Sequence, residues 1–230
     1  MQRYFLTKDT GKIEDKDDVF HMTKVMRMKT GDQIIVCFND ECYKATLTIE
    51  DQTVFYQKEE LLENKTIYDI TLIQGLPKGN KTEELVKSNT IFGIKTIYLT
   101  EMKRSIAKLK NDENKLLRYQ KIAKEAAELA HRQNIPEIEF KKSLKQIDYT
   151  MFDHVILAYE DEKKTYLSDL KIDLEKEKIA IIIGPEGGID EEELIFLKSL
   201  KAQIISLGEF ILPTELASLY ALSYFYAKKR

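Results

Sequence analysis

The segment IAIIIGPEGGIDEEE, residues 179–193, constrains the fold more than any other part of this chain. Ile179 to Ile183 are five consecutive apolar residues, and they read as a strand covered on both faces. Such a strand belongs in an α/β domain with a largely parallel sheet. It runs directly into Gly184-Pro185-Glu186-Gly187-Gly188, and an acidic helix start follows at Asp190. In open parallel sheets ligands bind beyond the carboxyl ends of the strands, and glycines there let the backbone approach a ligand closely.

The rest of the chain from about residue 67 keeps the same rhythm. TIYDITLIQGL reads as a strand, NKTEELVKSNTIFG as a helix ended by Gly93, and IKTIYLTE as the next strand. A long helix spans roughly 113–134 and stops before Pro136. Strands HVILAYE and KIAIIIG, helix DEEELIFLKSL, strand AQIISLG and a closing helix from TELASLYAL complete the pattern. Residues 1–66 differ: GDQIIVCFNDECYKATLTIEDQTVFYQKEELL predicts antiparallel strands with FNDE as a turn. The segment before them, DDVFHMTKVMRMKTGD, predicts a short helix stopped at Gly31. We therefore expect two domains, a small β-barrel at 1–66 and an α/β domain at 67–230, joined by a short acidic linker near 60–67.

At 230 residues with 43% hydrophobic residues, 9 Gly and 4 Pro, the chain has enough apolar material for both cores, and disordered or collagenous classes are excluded. Cys37 and Cys42 are its two cysteines, a scarcity that fits a reducing cytosol. No run reaches the roughly 18–20 apolar residues that cross a bilayer, and the N-terminus lacks a signal-peptide core, so a soluble cytoplasmic protein is expected. Neither the cysteines nor His131 and His154 stand at metal-ligand spacing, and no metal is expected. The net charge of −3 hides an asymmetry: residues 74–145 carry 16 basic against 9 acidic residues. That excess suits either a polyanion or an ordinary solvated helix face.

The glycine loop is neither GxGxxG nor a P-loop, and the acids after it repel phosphate. It reads as a tight strand-to-helix turn or as the loop of a cofactor without phosphates, one whose positive charge Glu186 tolerates. A second loop, EFILPTE after Leu207-Gly208, is too apolar for an exposed connection, and Ile211 and Leu212 call for a surface to bury against. Two such loops at the ends of neighbouring strands make a pocket with apolar walls and free backbone groups, suited to an adenine ring.

GPEGG after an apolar strand, followed by LGEFIL and a TELA helix start, resembles the SPOUT class of S-adenosylmethionine-dependent RNA methyltransferases. Within that class the chain resembles the RsmE family, which methylates N3 of a uridine in 16S ribosomal RNA of the small subunit. RYF, HMTKVMRMKTGD, LPKGNKTEELV, GIKTIYLTEMKRS, YQKIAKEAAELAHRQNIPEI and LAYE fall in the order that family shows. The resemblance implies an N-terminal PUA-like RNA-binding barrel, a C-terminal α/β domain with a trefoil knot at its chain end, and a homodimer. It implies S-adenosylmethionine held by Leu157, Tyr159, Ile183, Gly184, Glu186, Gly187, Gly188, Leu207, Gly208, Ile211, Leu212 and Thr214.

The chemistry of N3 methylation asks for alignment with an activated methyl and for a base or a cation at a nucleophile that carries a proton. Arg104, Arg132 and Glu215 are the candidates, with Arg3, Arg27, Lys78 and Lys103 as phosphate contacts. His21 is read as a packing residue, and Tyr220, Tyr224, Phe225 and Tyr226 as core or dimer interface. The family reads close to LGxRILRTETA where this chain has Phe210, Pro213 and Leu216, so two arginines are replaced by side chains without charge. Ile91 and Leu129 stand where the family has a glutamate and a glutamine. Two rivals follow: a relative that binds RNA or cofactor with impaired catalysis, and a SPOUT enzyme with another RNA target.

Overall fold

The computed structural model describes residues 1–51, 53–63, 67–109 and 113–227, so part of the expected linker, 64–66, lies outside the described residues. The chain forms two compact units, Met1–Thr66 with Ala127–Ile135, and Ile67–Ala126 with Pro136–Arg230.

In the first unit, β1 (Arg3–Phe5), β2 (Gln33–Phe38), β3 (Glu41–Glu50) and β4 (Thr53–Leu61) form one sheet in chain order. The sheet is mixed: β1 runs parallel to β2, while the other pairs are antiparallel. A parallel β1 is possible because α1 (Lys16–Phe20) intervenes before β2. The expected FNDE turn is a two-residue hairpin loop, with Asn39 and Asp40 at φ +49° and +60°, the left-handed pair whose twist matches the flanking strands. This register sets Cys37 opposite Cys42, and the two buried sulfurs are bonded, which departs from the free thiols that a reducing cytosol implies. Tyr4, Met22, Ile34, Val36, Leu47 and Val54 form the core.

Asp15 caps α1 by accepting from the Asp17 amide at 2.9 Å. The helix widens into a π turn at His21–Val25 and is over by Arg27, at φ +53°, before the Gly31 stop expected from sequence. His21 Nδ1 lies 3.1 Å from the hydroxyl of buried Tyr4, a packing role.

The second unit is a six-stranded, wholly parallel sheet of β5 (Ile70–Gly75), β6 (Thr96–Thr100), β7 (Glu137–Lys141), β8 (His154–Ala158), β9 (Ile179–Ile183) and β10 (Gln203–Ile205). The order is β10-β8-β9-β5-β6-β7. Every residue of β5, β6 and β9 is buried, as the apolar run required. Burying each isoleucine of β9 contributes about 1.5–3 kcal/mol. The strand β7 has no apolar run and was not expected; EIEFK holds its place by pairing along β6.

The helices are α2 (Lys81–Ile91), α3 (Glu113–Leu129), α4 (Glu191–Ser199) and α5 (Thr214–Ala227). The last of these packs on α2 and β9. Asn89 Nδ2 donates to Ser218 Oγ at 3.0 Å, and Tyr226 donates to the Gly93 carbonyl at 2.9 Å. Gly93, at φ +91°, is required there, because a Cβ would collide with that hydroxyl. Of the closing aromatics, Phe225 is core and Tyr220 is half exposed. Helix α3 ends at Leu129, short of the expected 134, because His131 is left-handed and the following residues belong to the first unit. Among the described residues no helix is long and apolar enough to cross a membrane.

Candidate functional site

The chain lays β5, β6 and β7 outward in one direction, then returns to place β8, β9 and β10 on the other side of β5. Loops leaving the carboxyl ends of β8, β9 and β10 therefore converge, as the switch-point rule for parallel sheets requires. They enclose a cavity of about 500 Å³, lined by 158–160 and Lys163 after β8, 183–188 after β9, 206–214 after β10, and Lys81 and Ala217 from two helices.

Glycine is needed in this lining for two separate reasons. Gly188 has φ +72°, and a Cβ there would run into Glu160 Oε1. Gly187 is not left-handed, but its Cβ would lie 3.0 Å from Arg104 Cβ and 3.1 Å from the Arg104 carbonyl oxygen. The loops are tied to one another through Thr214. Its hydroxyl donates to the Gly184 carbonyl at 2.5 Å and accepts from Gln74 Nε2 at 2.8 Å. Gln74 is fully buried, so the start of α5 is anchored to the centre of the sheet.

The rim is charged. Glu160, Glu186 and Glu209 line the cavity together with Lys81 and Lys163. Lys81, the first residue of α2, meets Glu215 Oε1 at 2.9 Å and Glu186 Oε1 at 3.7 Å. The Glu215 hydrogen bond, with Glu186 adding to it, holds the Lys81 ammonium above its ordinary range. Burial opposes ionisation of Glu215, but its own backbone amide and Lys81 outweigh that and keep its carboxyl below its ordinary value.

Of the residues proposed from sequence, Tyr159, Ile183, Gly184, Glu186, Gly187, Gly188, Leu207, Gly208, Ile211, Leu212 and Thr214 all line this one cavity. Leu157 does not. Side chains alternate along β8, and Leu157 points into the core, fully buried with Ile73 and Ile182, while the next residue, Ala158, reaches the cavity. Ile211, expected to be buried, is 85% exposed, and Phe210 beside it is 84% exposed.

Arg104 stands at the glycine loop, its Nη1 donating to the Gly187 carbonyl at 3.3 Å. Arg132 is not a cavity residue. It is buried in the first unit, where Nη2 donates to Asn134 Oδ1 at 2.9 Å. Arg3 is buried too, and burial lowers its pKa. Its Nη1 donates to the carbonyls of His131, at 2.8 Å, and of Arg132, so this guanidinium satisfies backbone carbonyls just past the end of α3. That use leaves Arg3 unsuited to the phosphate contact expected of it. Arg27 and Lys78 are exposed. Lys103 is half exposed but pairs with Asp190 at 3.3 Å and with Glu192. The acidic start of α4, capped by Asp190, is thus partly neutralised by the loop after β6. Glu215 does not line the cavity and touches it through Lys81. Sequence reasoning missed Lys81; its signal was a cation placed at the first helical position after Pro77-Lys78-Gly79-Asn80. Among the described residues no three His, Cys, Asp or Glu side chains are grouped to hold a metal.

Comparison with known proteins agrees with this architecture. Residues 63–226 match the family model described as RNA methyltransferase domain, and residues 13–54 match that of the RNA methyltransferase PUA domain. Ribosomal RNA small subunit methyltransferase E of Bacillus subtilis (strain 168) is 34% identical over 244 residues, covering 97% of this chain and 95% of that protein. A crystal structure described only as that of a hypothetical protein superposes with a TM-score of 0.88 at 30% identity, covering 100% of this chain and 99% of the other. Ribosomal RNA small subunit methyltransferase E from Neisseria gonorrhoeae, solved bound to S-adenosyl methionine, has the same fold, with a TM-score of 0.85 at 21% identity and coverage of 99% and 98%.

Proposed function

The chain belongs to the ribosomal RNA small subunit methyltransferase E family, and from that premise we propose that it methylates N3 of one uridine in 16S ribosomal RNA, using S-adenosylmethionine. The reading includes a cytoplasmic homodimer acting on the assembled small subunit, a trefoil knot formed where α5 follows the loop 206–213, and a PUA-like unit at 1–66 that contributes to RNA binding. The single observation that carries it is the convergence of three loops from β8, β9 and β10 on one glycine-floored cavity.

The cavity suits the cofactor on its own terms. Gly187 and Gly188 let the loop pack closely against Arg104 and Glu160, while Gly208 has no atom within 4 Å of where a Cβ would stand, so a ligand can approach its bare backbone. Glu160, Glu186 and Glu209 offset a cationic centre, and Ile183, Leu212 and Ala217 offer apolar wall for a flat base. When bound, S-adenosylmethionine supplies an electrophilic methyl on a sulfonium. The residues 184–188 and 207–212 would hold it, and Thr214, through Gly184 and Gln74, fixes the spacing of those two loops. Arg104, tethered to the Gly187 carbonyl, sits where it can contact RNA beside the cavity, and Lys78, Lys103 and Arg27 are the phosphate contacts of this reading. N3 lies on the Watson–Crick edge, so the target base must be unpaired or extruded to enter.

Incubation with labelled S-adenosylmethionine and small subunits from cells lacking this activity tests the reading. Label is expected in 16S ribosomal RNA, and a preparation that binds the cofactor without labelling that RNA would favour the binding-protein alternative that Phe210 and Pro213 raise.

A further inference from the structure

The loss of a proton from uridine N3 leaves negative charge over the two neighbouring carbonyl oxygens, and a donor fixed near those atoms lowers the barrier. The loop 206–213 brings no cationic side chain to the cavity. Of the two cations that line it, Lys163 donates to the Glu160 carbonyl at 2.5 Å, on its own loop. Lys81 arrives from α2, on a different element, and is gripped by carboxylates from two further segments, Glu215 of α5 and Glu186 of the glycine loop. An ammonium has three N–H donors; Glu215 takes hydrogen bonds at 2.9 and 3.0 Å through its two oxygens, and Glu186 at 3.7 Å is an ion pair beyond hydrogen-bond reach. The side chain is 36% exposed and lines the cavity, which leaves the ammonium room for a further acceptor.

We propose that Lys81 is a catalytic residue, donating a hydrogen bond to a carbonyl oxygen of the target uracil, and that Glu215 is the positioning residue that aims it. This rests on the methyl-transfer reading above. The N3 proton passes to water and its bonding pair stays on the base as charge over the carbonyl oxygens; as the N–C bond forms the methyl's bond to sulfur breaks, its pair stays on sulfur to leave a neutral thioether, and the base is neutral again. Lys81 stays protonated throughout. The charged groups facing it are Glu215 and Glu186.

The test measures Lys81→Met, Lys81→Arg and Glu215→Gln in the full-length protein for kcat, KM, the pH profile, S-adenosylmethionine affinity by calorimetry, and melting temperature. Lys81→Met should lower kcat by about 100-fold, as removal of one such donor does elsewhere. It should also shift the alkaline-rising limb upward by at least about one pH unit, with cofactor affinity within about threefold of wild type. Lys81→Arg should recover most of the loss, and adding Glu215→Gln to Lys81→Met should cost nothing further. An unshifted pH limb, or a loss that follows cofactor affinity or melting temperature alone, overturns the proposal and makes Lys81 a clip between loops. A wild-type protein that does not turn over overturns the methyl-transfer reading and this inference with it.

Discussion

Replacing Gly188 with valine should cripple cofactor binding while leaving the fold in place. The residue sits at φ +72°, where a side chain crowds the following carbonyl, at a cost of about 1–2 kcal/mol, and a β-branched residue lies at the upper end. Its Cβ would also displace the Glu160 carboxylate from its place on the cavity wall. If the loop relaxes to relieve the strain and must be forced back to hold the ligand, 1–2 kcal/mol corresponds to about a 5- to 30-fold rise in Kd, and the clash with Glu160 adds to it. Calorimetric titration with S-adenosylmethionine reads the effect. Gly188→Ala alone and in a Glu160→Ala background separates backbone strain from the side-chain clash. A Gly188→Val protein with wild-type affinity would refute the assignment of this loop to the pocket.

Other consequences are as direct. Thr214→Val keeps the shape but breaks the link between Gln74 and Gly184; taking that partner from the buried Gln74 amide, which keeps its bond to the Gly75 carbonyl, and from the half-buried Gly184 carbonyl costs about 1–3 kcal/mol, read in urea unfolding, and the substitution should also weaken cofactor binding. Arg3→Met takes the guanidinium donor away from the His131 and Arg132 carbonyls and should destabilise the first unit by about 1–3 kcal/mol without altering the salt dependence of RNA binding; a changed salt slope would restore Arg3 as a phosphate ligand. Charge reversal at Lys103 and Arg104 should flatten the slope of log K against log salt by about 0.7–0.9 for each phosphate that is no longer neutralised, and an unaltered slope would return both to ordinary surface. Glu215 titrates below 4.5 in the folded chain, so the unfolded chain takes up the proton first as pH falls. Its contribution is complete above about pH 4.5 and is lost as pH drops through the folded value, so Glu215→Gln should blunt the acid limb of the stability curve; an unchanged limb would show the pair contributes nothing there.

The site was legible in sequence where backbone makes it and obscure where tertiary charge pairing does. An all-apolar β9 and the glycines after it are local signals, and they point to the cavity that the loops after β8, β9 and β10 line. The loop after β10 stands out in sequence because its apolar residues call for burial, yet Ile211 and Phe210 are exposed while the loop does line the cavity. Leu157 was misplaced by one position, which on a strand changes the face. Arg3 and Arg132 looked like free cations because nothing local shows that α3 stops at Leu129 and that the carbonyls of the turn after it recruit Arg3 from the N-terminal strand. The strand β7 escaped because EIEFK is polar enough to read as loop until β6 pairs with it. The pairing of Lys103 and Arg104 with Asp190 crosses nearly ninety residues, and the counts of basic and acidic residues by segment concealed it.

The central claim is methylation at a base edge, and its most direct measurement is a map of reverse-transcription stops on 16S ribosomal RNA. Small subunits lacking the mark are treated with the protein and S-adenosylmethionine, because a methyl on N3 blocks pairing and halts the polymerase. The account predicts a new stop at one uridine, absent without cofactor and weaker with Gly188→Val when cofactor is held near the wild-type Kd. Labelled RNA that gives no stop at any uridine would contradict N3 as the acceptor.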